Sequence, residues 1–157
     1  MEIKWQRRIN RKVRMVNVGD RYNLMDNKNN ILSPIWFDLI FSLGYGKEYM
    51  VVYNENEQGK REHNIIDLNG NLLSPNLWFD DVNNYIDFGD NAGFGVVRLN
   101  DKFNFIDRQG KLLSDKWFDT YVRFNDKGFT FVRIDNTPYE LDKDGTLTQV
   151  PYYNFFI

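Results

Sequence analysis

The chain has 157 residues, of which 42 % are hydrophobic and 17 % aromatic, and it contains no cysteine. This length and composition predict a single folded domain, and the lack of cysteine excludes a disulfide framework and a thiolate metal site. The net charge of −2 hides an asymmetry, because residues 1–14 hold six Lys and Arg side chains against one Glu, while the remaining chain is acidic. An acidic body makes nucleic acid an unfavourable main partner, since contacts with phosphate dominate that affinity.

The first segment, residues 1–12, is predicted to form a basic N-terminal cap strand. Its cations could grip an acidic partner or a nucleic-acid backbone, and the candidate binding residues are Lys4, Arg7, Arg8, Arg11 and Lys12. The alternative is a solvated edge strand whose charges discourage association between sheets. The segment lacks the apolar core of a signal peptide, and no run approaches the ~18 apolar residues of a membrane helix. We therefore expect a soluble protein that does not enter a membrane and is located in the cytoplasm.

Four related repeats follow the cap, at about residues 13–41, 49–86, 94–123 and 129–157, and we expect one repeat domain over residues 1–157. Each repeat has an aspartate that opens a turn, and the aspartates are spaced 41, 40 and 35 residues apart: Asp26, Asp67, Asp107 and Asp142. Three residues later stand Asn29, Gly70, Gly110 and Gly145. Asp-x-x-Gly is typical of a turn, because Asp bonds its own backbone and Gly takes the positive φ that closes it. Asn29 can replace glycine, since Asn tolerates the left-handed region.

Strands are predicted on both sides of each turn. In the third repeat they cover residues 96–99, 103–106 and 111–113, with a fourth strand that begins near Trp117. No segment shows the sustained i, i+3, i+4, i+7 periodicity of a helix. The sequence therefore predicts an all-β fold of tandem antiparallel β-meander units of about 40 residues. An open curved repeat array is favoured, and closure into a small four-bladed propeller is the alternative.

A Trp-Phe-Asp triplet follows the turn in three repeats, and its tryptophans are Trp36, Trp78 and Trp117. A repeat of about 40 residues cannot bury its own apolar face and must stack on its neighbours. A Trp and a Phe together bury roughly 400 Å². We interpret these aromatic residues as structural knobs between repeats, which need no ligand to explain them.

The segment GFGVVRLNDKFNFIDRQGKLLSDKWFD, residues 93–119, resembles the repeat unit of the WG (KWG) family of bacteria and their phages. The likeness covers about residues 13–148 and is most specific in the turn and at Pro34 and Pro75. The family's Trp-Gly pair is replaced by Tyr22-Asn23, His63-Asn64, Phe103-Asn104 and Pro138-Tyr139. The resemblance implies a β-rich repeat array that is usually non-enzymatic.

In repeats 1 to 3 an asparagine stands where the WG family has the glycine of its Trp-Gly pair. These three asparagines occupy the same position of one predicted strand: Asn23, Asn64 and Asn104. They are binding candidates, because amides beside aromatic side chains suit a sugar or a peptide; the alternative is hydrogen bonding inside the repeat. The recurring carboxylates are interpreted as turn caps. A catalytic pair of acids would be needed only once and not in every repeat. A calcium-binding loop that begins at Asp142 would need a Glu at its twelfth position, which this sequence does not have. The only histidine, His63, has no second histidine or cysteine with which to build a zinc site, so a packing role is expected.

These observations favour a non-enzymatic β-repeat module that binds a protein partner or builds an assembly, with no catalytic residue, cofactor or metal. The alternative class is a protein that binds a small molecule, glycan or nucleotide, including a phage inhibitor of host defence. The richness in Asn, Lys, Ile, Phe and Tyr, which AT-rich codons encode, hints at a gut bacterium or one of its phages. A phage origin would also admit a place in the virion. The sequence does not indicate whether the protein is a monomer or an oligomer.

Overall fold

The computed structural model describes residues 1–41, 48–83 and 92–151 of the chain. The chain divides into two compact units, Met1–Ile86 and Asp87–Ile157, which we call the N-terminal and the C-terminal unit. The described ranges contain small antiparallel sheets and no helix. The predicted all-β class of repeated meanders is therefore confirmed. The single repeat domain and the choice of an open array over a propeller stay predictions.

The described residues of the N-terminal unit form seven strands: β1 (Trp5–Arg8), β2 (Val13–Val18), β3 (Arg21–Asp26), β4 (Leu39–Phe41), β5 (Tyr49–Glu55), β6 (Arg61–Asp67) and β7 (Asp81–Val82). The first sheet has the order β1-β2-β3 and the second the order β4-β5-β6. β1 lies inside the predicted cap segment and pairs with β2, so that Arg7 stands opposite Met15. In both sheets a hairpin is joined by one strand that precedes it in the chain.

Six strands lie in the part of the C-terminal unit that the structure describes, residues 92–151: β8 (Gly95–Leu99), β9 (Lys102–Ile106), β10 (Thr120–Tyr121), β11 (Phe129–Ile134), β12 (Thr137–Asp142) and β13 (Leu147–Gln149). β8 and β9 form a hairpin, and the remaining strands form a sheet with the order β10-β11-β12-β13. Two-residue turns close the β8–β9 hairpin and the β11–β12 hairpin. Asn100 and Asp101 have φ of 53° and 64°, and Asp135 and Asn136 have φ of 49° and 67°. Paired positive φ values match the twist of hairpin strands, and Asn and Asp tolerate them.

The third strand that the sequence predicts in each repeat is interrupted in repeats 1 to 3. In repeat 3, residues 111–113 make one bridge to β9, between Ile106 and Leu112, and the next bridge joins Phe103 to Phe118. The same two bridges recur in repeats 1 and 2. The prediction of a regular strand at 111–113 was therefore wrong, and its physical reason is a buried amide described below.

The strand predicted near Trp117 also begins later than expected. β10 starts at Thr120, directly after the Trp-Phe-Asp triplet, and pairs with the hairpin of repeat 4. β4 likewise follows the triplet of repeat 1 and pairs with the hairpin of repeat 2, with Leu39 opposite Tyr53. The segment after the triplet thus completes the next repeat's sheet rather than its own.

Turn glycines let one repeat approach the backbone of the repeat before it. A Cβ added to Gly70, at φ +85°, would lie 2.5 Å from the carbonyl carbon of Leu32. A Cβ added to Gly145, at φ +87°, would lie 2.3 Å from the carbonyl oxygen of Leu113. Only glycine fits both the φ and the contact. Asn29, the equivalent residue of repeat 1, is exposed at φ 66°, so its turn needs the positive φ but no close approach.

Each unit has its own core. The N-terminal core is mainly aliphatic and contains Ile9, Val13, Met15, Leu24, Phe37, Ile40, Met50, Val52 and Ile66. The C-terminal core contains Val96, Phe105, Phe118, Phe124, Val132 and Leu141. The Phe105 ring lies 5.1 Å from that of Phe124, 5.7 Å from that of Tyr121 and 6.2 Å from that of Phe118. Aromatic rings therefore make up much of the C-terminal core.

Candidate functional site

The three recurrent asparagines lie in the interior. Each is 0 % exposed: Asn23, Asn64 and Asn104. Oδ1 of Asn104 accepts a hydrogen bond from the N–H of Phe105 at 2.8 Å, and Nδ2 donates to the carbonyl oxygens of Ser114 at 2.9 Å and Lys116 at 3.2 Å. The side-chain amide replaces backbone hydrogen bonds that the interrupted third strand does not make, so that the buried groups stay satisfied.

Equivalent bonds hold the other two amides. Nδ2 of Asn23 donates to the carbonyl oxygen of Ser33 at 3.0 Å, and Nδ2 of Asn64 donates to that of Ser74 at 2.7 Å. Repeat 4 has Tyr139 at this position, and there β12 pairs regularly with β13. The asparagine and the interruption of the strand occur together. Their burial corrects the prediction that these amides present a face to a ligand and supports the alternative, hydrogen bonding inside the repeat.

The turn aspartates accept backbone hydrogen bonds in all four repeats: Asp26, Asp67, Asp107 and Asp142. Oδ1 of Asp107 accepts from the N–H groups of Gln109 and Lys111, each at 2.9 Å. The N–H of Gly110, at φ +84°, donates to the carbonyl oxygen of Asp107 at 3.1 Å. These carboxylates cap their own turns, as their recurrence indicates.

The aspartates of the Trp-Phe-Asp triplets form ion pairs with a cation beside the start of the second hairpin strand. The three pairs are Arg21–Asp38 at 3.8 Å, Lys60–Asp80 at 2.7 Å, and Lys102–Asp119. Oδ2 of Asp38 also accepts a hydrogen bond from the N–H of Glu55 in β5 of the next repeat, at 2.8 Å. Asp38 therefore ties the hairpin of its own repeat to the following one. Sequence reasoning missed this pairing: Arg21 and Lys102 occupy equivalent hairpin positions, but repeat 2 has Glu62 there and uses Lys60 instead.

Two carboxyl groups have shifted pKa values with local causes. The hydrogen bond from the Lys102 ammonium holds the pKa of Asp119 below its usual value, and the same contact raises the pKa of Lys102. Backbone and side-chain N–H groups of Asn30 lower the pKa of Asp26. Both carboxyl groups are stabilised in the charged form by groups of the repeat itself, which fits structural roles.

Within each triplet the phenylalanine is the more deeply buried ring. Phe37, Phe79 and Phe118 are at most 1 % exposed, whereas the tryptophans remain partly exposed: Trp36, Trp78 and Trp117. The packing role predicted for the tryptophans therefore falls mainly on the neighbouring phenylalanines. Trp78 nevertheless packs against the N-terminal core.

The predicted N-terminal cations lie on and around an exposed edge strand. All four residues of β1 are exposed, and Trp5 is 45 % exposed with its ring 6.2 Å from that of Tyr22. Nη1 of Arg8 donates to the carbonyl oxygens of Asn10 at 3.2 Å and Arg11 at 3.1 Å, so this guanidinium supports the β1–β2 loop.

The other predicted cations of this segment are exposed: Lys4, Arg7, Arg11 and Lys12. Their side chains form no ion pair or hydrogen bond with residues in the described ranges. We call these four cations together with β1 the basic edge. Arg14, which the sequence did not single out, is committed elsewhere: its guanidinium donates to Oδ1 of Asn29 at 2.5 Å and to the carbonyl oxygen of Asp26 at 3.1 Å.

No cluster of three or more His, Asp or Glu side chains able to hold a metal ion occurs in the described part of the chain. The same part contains no helix with the length and apolar character that crossing a membrane requires. Comparison with protein-family models, curated proteins and solved structures finds no match to this chain. The resemblance to the WG repeats thus stays a prediction.

Proposed function

We propose that the protein is a non-enzymatic β-repeat module that binds a protein partner, and that an acidic, extended segment of the partner adds a strand beside β1. The observation that carries this proposal is the exposure of every residue of β1 at the edge of its sheet. Extended peptides bind such edges through main-chain hydrogen bonds, while side chains supply specificity.

The register leaves backbone groups of β1 directed away from β2. Ile9 donates its N–H to the carbonyl oxygen of Val13 at 2.9 Å, and in the same register Arg7 stands opposite Met15, so alternation makes Arg7 a hydrogen-bonded position as well. At the start of the strand Lys4 donates its N–H to the carbonyl oxygen of Asn17 at 2.8 Å. The N–H and C=O groups of Gln6 and Arg8 therefore point to the open edge, beyond which the described ranges contain no further strand of this sheet. They offer a hydrogen-bonding pattern that a new antiparallel or parallel strand can read.

Charge defines the chemistry of the partner. The basic edge has four cations whose charge no described side chain neutralises, so an acidic segment fits it best. A second copy of β1 fits poorly, because Arg7 and Arg8 would meet their own counterparts and like charges oppose edge pairing. The half-exposed ring of Trp5 supplies an aromatic anchor of the kind that dominates interface energies.

The other recurrent polar groups support a non-enzymatic role. The buried asparagines bond inside the repeats, the turn aspartates cap their own turns, and the triplet aspartates pair with lysine or arginine. Each of these groups has a structural task in every repeat in which it occurs.

The proposal can be tested with a displayed library of random extended peptides, selected on the full chain. The test variant carries Lys4→Gln, Arg7→Gln and Lys12→Gln. The control carries the same change at three exposed lysines elsewhere: Lys28, Lys116 and Lys127. Deleting residues 1–12 is unsuitable, because Ile9 is 1 % exposed in the core.

We expect acidic peptides to be enriched, to bind more weakly as salt rises, and to lose about ten-fold or more in affinity on the test variant but not on the control. Binding should also protect the amide hydrogens of Gln6 and Arg8 from exchange, while that of Ile9, already bonded to Val13, changes little. Peptides that bind both variants equally, or that leave Gln6 and Arg8 unprotected, would contradict docking at the basic edge.

A further inference from the structure

A surface cavity in the C-terminal unit lies between the turns of repeats 3 and 4. Its volume is about 380 Å³, which falls within the range of small-molecule sites. One wall is the turn after β9, with Asp107, and the other is the turn after β12, with Lys143 and Asp144. Because Gly145 brings the second turn against the backbone of Leu113, both walls are held in place by repeat packing.

The floor of the cavity is apolar and firmly packed. Leu112, Leu113 and Phe94 line it. The ring of Phe94 stacks on that of Phe124, with centroids 5.2 Å apart and planes inclined by 25°, and meets the edge of Phe105 at 6.4 Å. A flat apolar group can therefore rest on a surface that the core already supports.

Cations predominate at the rim. Arg108, Lys111 and Lys143 line the cavity against two carboxylates, and Oδ1 of one of these, Asp107, is engaged by two N–H groups of its own turn. The stem of Lys143 lies over Gly128, so that a Cβ added to that glycine would stand 2.6 Å from Cε. This contact restricts the course of the Lys143 side chain, which is exposed and lines the cavity.

From this combination we propose that the cavity binds a small anion with a flat apolar body, of the class of aromatic phosphates and sulfonates. The apolar body rests on Phe94, Leu112 and Leu113, and the anionic group lies between Lys111 and Lys143. The site is separate from the basic edge, since it is formed wholly by residues of the C-terminal unit. Its existence and that of the strand-addition site can be tested independently.

The test uses phenyl phosphate as the probe, with inorganic phosphate and phenol as its two separate halves. Titrations of the full chain are followed by backbone amide NMR shifts and by calorimetry. We expect saturable shifts at Gly93, Lys111 and Asp144, and a dissociation constant for phenyl phosphate at least about ten-fold lower than that of either half. A charge-assisted contact of this kind also predicts weaker binding at higher salt.

The variant Lys111→Ala/Lys143→Ala should weaken phenyl phosphate binding about ten-fold or more. The matched control is Lys116→Ala/Lys127→Ala, which removes two exposed charges of the same unit from outside the cavity. Both lysine pairs are exposed, so the fold should be retained, and the dispersion of the amide spectrum verifies this. Absence of saturable binding, equal binding by both variants, or equal affinity for inorganic phosphate would each overturn the proposal.

Discussion

Replacing Gly70 by alanine should destabilise the N-terminal unit more than its conformation alone explains. At φ +85° an alanine sits in the left-handed region, which costs about 1–2 kcal/mol. The new Cβ would also stand 2.5 Å from the carbonyl carbon of Leu32, 2.6 Å from its oxygen and 2.7 Å from the nitrogen of Ser33. These are backbone atoms that cannot rotate aside, so forcing repeats 1 and 2 apart should add about 1–3 kcal/mol.

Gly59→Ala is the matched control. Gly59 has a φ of +78°, and a Cβ added there meets nothing within 4 Å, so this substitution carries the conformational cost without the clash. Urea unfolding monitored by tryptophan fluorescence should show Gly70→Ala less stable than Gly59→Ala by about 1–3 kcal/mol. If the two variants were destabilised equally, the close approach between repeats 1 and 2 would not be a source of stability, and the explanation for the turn glycine would fail.

Three further outcomes are expected from variants of repeat 3 and one control. Phe118→Ala should lower the free energy of unfolding by about 3–5 kcal/mol, because Phe118 is 0 % exposed. Trp117→Ala should lower it clearly less, since the Trp117 ring is partly exposed. The urea midpoints of the two variants test this difference. Asn104→Leu should cost about 2–4 kcal/mol by leaving buried backbone groups without partners, while Asn71→Ala at an exposed turn position should stay within about 0.5 kcal/mol. The folded-state pKa of Asp119 is lowered, so its ion pair stabilises the fold above the unfolded pKa of about 3.9 and is lost as pH falls through the folded value. The melting-temperature difference between the native chain and Asp119→Asn should therefore shrink from pH 7 towards pH 2, and a difference independent of pH would contradict this role.

The turns and hairpins could be predicted because their chemistry is local. Asp107 and Gly110 interact within four residues, and their bonds follow from the preferences of Asp for backbone N–H groups and of Gly for positive φ. The Asn100-Asp101 turn is equally local. Such features do not depend on what packs against the hairpin, so one sequence is enough to locate them.

The interrupted third strand could not be predicted in the same way. It depends on Asn104 reaching Ser114 and Lys116, ten and twelve residues away, and on the amide being buried there. A polar residue at a strand position normally indicates a solvent-facing side chain, so burial reverses the usual inference. The available signal in the sequence was the contrast with repeat 4, which has Tyr139 in place of the asparagine. In that repeat the third strand is not interrupted.

The partners of the triplet aspartates and the burial of the phenylalanines are also tertiary properties. Lys60 and Asp80 are twenty residues apart in sequence, but Nζ of Lys60 lies 2.7 Å from Oδ1 of Asp80 in the fold. Adjacent Trp and Phe residues are equally apolar in sequence, and only the path of the chain decides that Phe79 lies inside while Trp78 stays partly exposed.

Asn29 has a consequence for how many copies this architecture can hold. At Gly70 and Gly145 a bare glycine admits the main chain of the preceding repeat, whereas Asn29 carries a full side chain at the equivalent position, where Oδ1 accepts a hydrogen bond from Arg14. An extra copy grafted ahead of residue 13 would collide with it. One amide thus acts as a built-in stop against lengthening in that direction, and exchanging it for glycine should be the first step in any attempt to extend the protein.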